Sequence, residues 1–122
     1  MKVLVVEDHD DTRYLVMMLI RMAGYAPLEA RNGIEAIQLA TSELPDLILM
    51  DLNLPALDGW QATRLITSSK TTSHIPIVTL SAMCHDSWKA EALAAGAREC
   101  LDKPVDLLVV NNLLRRYQSH SH

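Results

Sequence analysis

The residues best suited to chemistry in this sequence stand at or just after the ends of short apolar runs. They are Glu7, Asp8, Asp51, Ser81 and Lys103. Three carboxylates brought together repel one another unless a cation lies among them, and ligands that are all hard oxygens favour Mg²⁺ or Mn²⁺ over Zn²⁺. A lysine charge and a serine hydroxyl beside that cation would complete a site for a phosphoryl group.

These residues can meet only if the apolar runs are strands of one sheet. Five strands are predicted, over residues 2–6, 25–30, 47–50, 77–80 and 98–101. The continuous apolar character of the first, third and fourth runs is typical of strands buried on both faces of a parallel sheet. Pro27 lacks an N–H group, so the second strand is expected at an edge of the sheet.

Helical patterns separate the strands. The first is expected to be capped by Asp10 or Asp11 and to end at Gly24; Asp58-Gly59 and Asp106 should open two later helices. The predicted inward-facing residues are Leu15, Met18, Leu19 and Met22 in the first helix, Ala36, Leu39 and Ala40 in the second, Ala62, Leu65 and Ile66 in the third, and Leu107, Val110 and Leu114 in the fifth, with Met17 also packing inward. Five alternating strands and helices predict an α/β fold of three layers, with helices on both faces of the sheet. The ligand site of such a fold lies beyond the carboxyl ends of the strands, which would gather the polar residues named above.

Composition restricts the classes of function. The chain has 122 residues, enough for one domain, of which 49% are hydrophobic and 21% charged. Its formal net charge of −4 argues against direct binding to nucleic acid or to an anionic membrane. Two cysteines, Cys84 and Cys100, are too few for a disulfide framework. There is no signal-peptide pattern, and the apolar runs are too short to cross a bilayer, so a cytoplasmic location is predicted.

Four segments together resemble the signature set of the receiver domain of two-component response regulators. They are Val5-Val6-Glu7-Asp8, Leu49-Met50-Asp51-Leu52-Asn53-Leu54-Pro55 with Asp58-Gly59, Leu80-Ser81-Ala82, and Lys103-Pro104. Each segment alone is a weak signal, but all occur in the expected order, and the resemblance runs from about Lys2 to Tyr117. It implies a flavodoxin-like fold with strand order 2-1-3-4-5, a receiver domain over residues 1–118 and a disordered tail over residues 119–122.

The resemblance also implies a role for each site residue. Asp51 would accept a phosphoryl group from a phosphohistidine, Ser81 would hydrogen-bond a phosphoryl oxygen, and Lys103 would pair with the phosphoryl group. The implied Mg²⁺ ligands are Asp8, Asp51 and the backbone carbonyl of Asn53, with Glu7 acting through water. The Lys103–Pro104 peptide bond is expected to be cis, whereas Thr79 is interpreted as a core residue.

The leading hypothesis is a phosphorylation-dependent signalling switch, not an enzyme that turns over a substrate. Mg²⁺-dependent self-phosphorylation from small phosphodonors and autodephosphorylation are expected. The partners implied are a sensor histidine kinase or a histidine phosphotransferase, which should meet the first helix, and an unknown downstream protein, which should meet residues 90–95, Cys100 and the last helix. Because the receiver occupies the whole chain, we expect a single-domain regulator, monomeric or weakly dimeric, that acts through protein contacts.

Three alternatives stay open. A phosphatase or phosphotransferase resembling haloacid dehalogenases would need a second aspartate two residues after Asp51, where this chain has Asn53. A pseudo-receiver that never takes phosphate is favoured by Cys100, which stands where receivers commonly carry Tyr or Phe. The chain could also be the receiver of a hybrid histidine kinase or of a longer regulator. Asp102 departs from the expected pattern by adding a negative charge beside Lys103.

Overall fold

The computed structural model describes residues 1–54, 57–82 and 86–118. Expectations for Pro55, Cys84 and residues 119–122 therefore concern positions outside the described residues. The strands are β1 (Lys2–Val6), β2 (Ala26–Ala30), β3 (Leu47–Asp51), β4 (Ile77–Ser81) and β5 (Glu99–Asp102), and the helices are α1 (Asp10–Met22), α2 (Gly33–Glu43), α3 (Gly59–Ser68), α4 (Asp86–Ala95) and α5 (Leu107–Gln118). No helix in the described part of the chain is long and apolar enough to cross a membrane.

The five strands form one parallel sheet in the order β2-β1-β3-β4-β5, which confirms the predicted topology. β2, which contains Pro27, lies at an edge as expected. The register pairs Asp51 of β3 with Leu80 of β4, and Ser81 with Asp102 of β5. The carboxyl ends of the central strands are therefore level, so the residues that follow them share one rim of the sheet.

The core lies on both faces of the sheet, because successive strand residues point to opposite sides. One cluster joins alternate strand residues such as Val5 and Leu49 to Ile20 of α1 and Leu114 of α5. A second cluster joins the intervening residues, including Ile48, to α2 and α3. Thr79 is fully buried, in agreement with its interpretation as a core residue.

The predicted buried faces of α1 and α3 were partly wrong. Leu15, Met18 and Met22 are exposed, and Val16 and Ile20 lie inward with Met17 and Leu19. Residues 14–20 are all apolar, so their spacing does not select one face of the helix. Leu65 of α3 is likewise exposed, while Thr63 takes an inward position. The inward residues predicted for α2 and α5 are buried or partly buried.

Helix starts agree with the sequence except at α1. Asp58 accepts a hydrogen bond from the Gln61 amide (2.9 Å), and Asp106 accepts one from the Val109 amide (2.9 Å), so both cap as predicted. At α1 the capping position is His9, whose side chain makes no capping hydrogen bond, and Asp10 and Asp11 lie inside the first turn. Negative charge there still interacts favourably with the helix dipole.

Candidate functional site

Glu7, Asp51 and Lys103 meet at the rim where β1, β3 and β5 end. The Lys103 Nζ lies 3.1 Å from Asp51 Oδ2 and also donates a hydrogen bond to Glu7 Oε1. Glu7 is 3% exposed and Asp51 is 2% exposed, so both carboxylates are almost fully removed from water. One ammonium group thus bridges two buried carboxylates that belong to distant parts of the chain.

Main-chain contacts fix the position of Asp51. The Leu52 amide donates to the Leu80 carbonyl (3.0 Å), and the Asn53 amide donates to Asp51 Oδ1 (3.1 Å). Gly59, at the start of α3, approaches so closely that a Cβ placed there would lie 2.2 Å from the Asp51 carbonyl oxygen. Glycine is therefore required at position 59 for α3 to begin against the end of β3.

The loop after β5 positions Lys103. The Lys103 amide donates to the Ser81 carbonyl at 2.8 Å, and the Lys103–Pro104 peptide bond is cis, as expected. Ser81 itself is buried at the end of β4, beside Asp102 in the register. Asp102 is exposed at the end of β5. Ser81 and Lys103 therefore belong to the same rim as the carboxylates.

The three charged groups shift one another's protonation equilibria. Burial raises the pKa of Asp51, and the neighbouring Glu7 raises it further, to about 6. Burial, the largest single effect, would raise the pKa of Glu7, but hydrogen bonds with Lys103 and Asp51, the Lys103 charge and the His9 amide together outweigh it and hold the pKa at about 2. Although burial opposes the charge on Lys103, contacts with Glu7 and Asp51 raise the pKa of its ammonium group. The pair of carboxylates thus carries more negative charge than one lysine offsets, and a proton or a cation relieves the excess.

Asp8 and His9 extend the acidic cluster toward solvent. The His9 Nδ1 lies 3.2 Å from Glu7 Oε2 and 3.3 Å from Asp8 Oδ1, and hydrogen bonding to Glu7 raises the pKa of the imidazole. Ligand atoms of these three residues lie within 4.8 Å of one another. The ring of His9 is mostly exposed, and the turn after β1 brings it against the acidic pair.

The donors in this cluster fit a hard divalent cation. Asp8 Oδ1 is buried and accepts no hydrogen bond within the described residues, so apart from the nearby His9 ring it needs a cation to offset the cost of its burial. Glu7 contacts both the Asp51–Lys103 group and the Asp8–His9 group, and so connects the two. Asn53 is exposed and lies two residues after Asp51, the last residue of β3. Carboxylate and carbonyl oxygens are the ligands that Mg²⁺ prefers.

A cavity opens beside Lys103, between α1 and the segment that follows β5. Its volume is about 250 Å³, and its lining includes Leu15, Leu80, Lys103, Pro104 and Val105. Apart from Lys103 and Thr12, the lining residues are apolar. Tyr14, Leu15, Met18 and Met22 continue this apolar surface along the exposed face of α1.

Cys100 lies on the other side of the site. It is buried and packs with Leu52, Ala92 and Ala97, while Trp60 adds a partly buried side chain to the same cluster. The Trp60 and Trp88 rings meet edge to face, with centroids 5.4 Å apart and planes at 85°. An aromatic pair between α3 and α4 therefore stands next to Cys100, the position at which receivers commonly carry Tyr or Phe.

Sequence reasoning missed Arg13, whose buried side chain bonds to the Glu7 carbonyl. An arginine in a surface helix is normally solvated. Two features of the sequence could have indicated that Arg13 is buried. It lies three residues after Asp10, which can pair with it, and it directly precedes the apolar segment of residues 14–20.

Residues 3–115 match the model of the response regulator receiver domain. The protein PilH of Pseudomonas aeruginosa is 36% identical over 105 residues, covering 86% of this chain and 87% of that protein. The polar-differentiation response regulator DivK of Brucella anthropi is 32% identical, with 86% and 85% covered.

One similar solved structure bears on the metal. The receiver domain of a sensor histidine kinase from Pseudomonas aeruginosa has a TM-score of 0.89 and 31% identity, covers 97% of each chain, and holds a magnesium ion in its active site cleft. Together with the family match and the shared fold, these similarities show that the chain belongs to the response regulator receiver domain family of two-component signal transduction.

Proposed function

We propose that Asp51 is the phosphoacceptor of this receiver domain and takes its phosphoryl group from a phosphohistidine of a kinase or phosphotransferase. The observation that carries the proposal is the convergence of the buried carboxylates of Glu7 and Asp51 with the partly buried Lys103 at one rim of the sheet. As an Asp51 oxygen bonds to phosphorus, the phosphorus–nitrogen bond of the donor breaks and the imidazole leaves with the electron pair. With a pKa of about 6, Asp51 is mostly ionised at neutral pH and can act as this nucleophile.

The main obstacle to this reaction is repulsion between a carboxylate and a phosphoryl group that are both negative. Lys103 already contacts Asp51 and offers a positive charge to the incoming oxygens. A bound Mg²⁺ would neutralise further charge on the phosphoryl oxygens as a Lewis acid. The residues proposed to hold it are Asp8, Asp51 and the Asn53 carbonyl, with Glu7 acting through water; Mn²⁺ is the competing ion.

Ser81 is proposed to donate its hydroxyl to a phosphoryl oxygen after Asp51 is modified. Its burial at the end of β4, level with Asp51, supports this role. The added charge of about −1.5 to −2 would act locally on Ser81. The pseudo-receiver hypothesis, which Cys100 favours, predicts no response around Ser81 and Cys100 to beryllofluoride, a phosphoryl mimic.

The phosphodonor is proposed to dock on α1. The exposed Tyr14, Leu15, Met18 and Met22 form an apolar strip that runs toward the cavity next to Lys103. An amphipathic helix laid on such a strip would bring its phosphohistidine near the site. Residues 90–95 of α4, Cys100 and α5 are proposed to meet the downstream protein. A cytoplasmic location and a monomeric or weakly dimeric state remain predictions.

Intact-mass measurement tests the assignment of Asp51. The protein is incubated with Mg²⁺ and phosphoramidate, alongside Asp51→Asn and the matched control Asp86→Asn at the exposed start of α4. We expect one phosphoryl adduct on the unmodified protein and on Asp86→Asn, and none on Asp51→Asn or with EDTA. An adduct on Asp51→Asn, or none on the unmodified protein, would contradict the proposal. Decay of the adduct after removal of the donor measures autodephosphorylation, and parallel samples with Mn²⁺ test the choice of ion.

A further inference from the structure

The side chain of Arg13 is the most unusual buried group near the site. It is 0% exposed and is the largest of the fully buried side chains among the described residues. Burying a guanidinium group is costly unless its N–H groups are paired, and an apolar side chain could fill the same space without that cost. Its presence therefore points to a task that needs directed N–H donors.

The contacts of Arg13 join three elements around the acidic turn. Nη1 donates to the Glu7 carbonyl at 3.0 Å, and Nη2 donates to Asp10 Oδ1 at 2.6 Å. Nε lies 3.7 Å from Glu29 Oε2 of β2 and donates no hydrogen bond to any residue that the structure describes. The two Nη atoms thus bond to the end of β1 and the start of α1, whereas Nε makes only a longer contact with β2.

The Glu7 carbonyl belongs to the peptide group that links Glu7 to Asp8. The Glu7 amide, on the other side of the same residue, donates to the Ala30 carbonyl at 3.0 Å. The Glu7 amide is therefore bound by β2, and the Glu7 carbonyl is bound by Arg13. Because the Glu7–Asp8 peptide group is planar, fixing it also fixes the directions in which the two side chains leave the main chain. The hydrogen bond from the guanidinium to the Glu7 carbonyl is fully buried, whereas the one to Asp10 reaches an exposed carboxylate.

We propose that Arg13 is a positioning residue for the cation site, because it fixes the Glu7–Asp8 peptide so that both carboxylates are directed toward the ion before it binds. This inference rests on the proposed function, which places a divalent cation at these carboxylates. Groups that orient metal ligands without touching the metal typically change metal affinity 10- to 100-fold when they are mutated.

Isothermal titration with Mg²⁺ tests the role of Arg13. Arg13→Lys keeps the charge but loses the planar fork of donors, and Arg13→Met keeps only the apolar stem. The matched controls Arg21→Lys and Arg21→Met lie on the exposed part of the same helix. We expect Kd for Mg²⁺ to rise at least about 10-fold in both Arg13 variants and to stay unchanged in the Arg21 variants. Urea unfolding of each protein establishes that it is folded under the titration conditions.

The outcomes separate this inference from the proposed function. Folded Arg13 variants with an unchanged Kd and reduced stability would show a purely structural role and overturn the inference alone. An unmodified protein that binds no Mg²⁺ would overturn the proposed function and the inference with it. If the variants do not fold, NMR of the unmodified protein decides: Mg²⁺ should shift the Arg13 Nη signals and leave those of Arg21 in place. Unshifted Arg13 signals would overturn the inference.

Discussion

The rim site and the contact between α3 and α4 adjoin each other but are built in different ways. At the rim, Glu7, Asp51 and Lys103 are held by ion pairs and by hydrogen bonds from the main chain. Between the helices, contact depends on small side chains such as Ala92 and on the edge-to-face pair of Trp60 and Trp88.

The helix contact also buries few residues of α4, of which only Ala92 and Ala95 are buried. Among the described residues, Trp60 Nε1 and Thr63 Oγ1 are buried without a hydrogen-bond partner, as are Asp8 Oδ1 and Arg13 Nε near the rim. Thr67 makes the main polar link, donating to the Ala95 carbonyl at 2.8 Å. This chain therefore fixes the geometry of its charged site, while α4 is attached by few buried side chains. We infer that α4 adjusts more readily than the rim.

Removing Lys103 should have the largest effect on phosphoryl uptake. Lys103→Ala takes away the only side-chain cation that contacts Asp51 among the described residues, and loss of such a donor typically slows a reaction about 10²- to 10³-fold. Stopped-flow or quenched measurements of the uptake rate, with exposed Lys70→Ala as the control, test this. If Lys103→Ala slowed phosphoryl uptake less than about threefold, a group other than Lys103 would supply the positive charge, and the rim site would not depend on this ion pair.

Without metal, in EDTA, the free energy of unfolding should depend on pH in a way that reveals the cost of ionising buried Asp51 at the rim. The raised pKa of Asp51 means that its ionised form opposes folding, so this penalty is complete above about pH 6 and disappears toward pH 3.8. That shift corresponds to roughly 3 kcal/mol. Glu7 acts oppositely: its lowered pKa contributes stability above pH 4.5 that is lost as the pH falls toward 2.

Urea unfolding of the metal-free protein should therefore show stability rising as the pH falls from 7 to about 5. Asp51→Asn should lose most of this rise while keeping any contribution from His9, whose raised pKa acts in the same direction. An equal rise in both proteins would show that Asp51 does not hold the proton.

Gly59→Ala should destabilise the junction between β3 and α3. Its Cβ would meet the carbonyl oxygen of Asp51 and Cα of Leu52, both backbone atoms that cannot move aside freely. Overpacking of this kind costs about 1–3 kcal/mol in the free energy of unfolding. Chemical denaturation measures the loss, and a change below about 0.5 kcal/mol would contradict the tight approach of α3 to the rim.

Trp88→Ala should have the smallest effect and sharpens the comparison most. Loss of the edge-to-face contact with Trp60 should cost about 1 kcal/mol of stability, with the uptake rate at Asp51 unchanged. Denaturation and uptake assays on one preparation test both parts. A tenfold slower uptake would show that the two regions are coupled before phosphorylation.

The sequence was sufficient to predict much of this molecule and insufficient for specific parts. The strands and their order followed from apolar runs and from the family motifs, and Asp51 with Lys103 followed from their places after strands. The buried face of α1 could not be chosen, because residues 14–20 are apolar on every side. The burial of Arg13 and the approach of His9 depend on how the turn after β1 folds back, which local sequence patterns do not encode.

The most direct test of the account is to locate the phosphoryl group on the unmodified protein. Borohydride reduces an acyl phosphate and thereby marks the carboxylate that carried it, so peptide mapping after reaction with phosphoramidate and Mg²⁺ identifies the residue. We expect the mark at Asp51 alone. A mark at Glu7, Asp8 or any other carboxylate would contradict the central claim that this buried aspartate is the one that accepts the phosphoryl group.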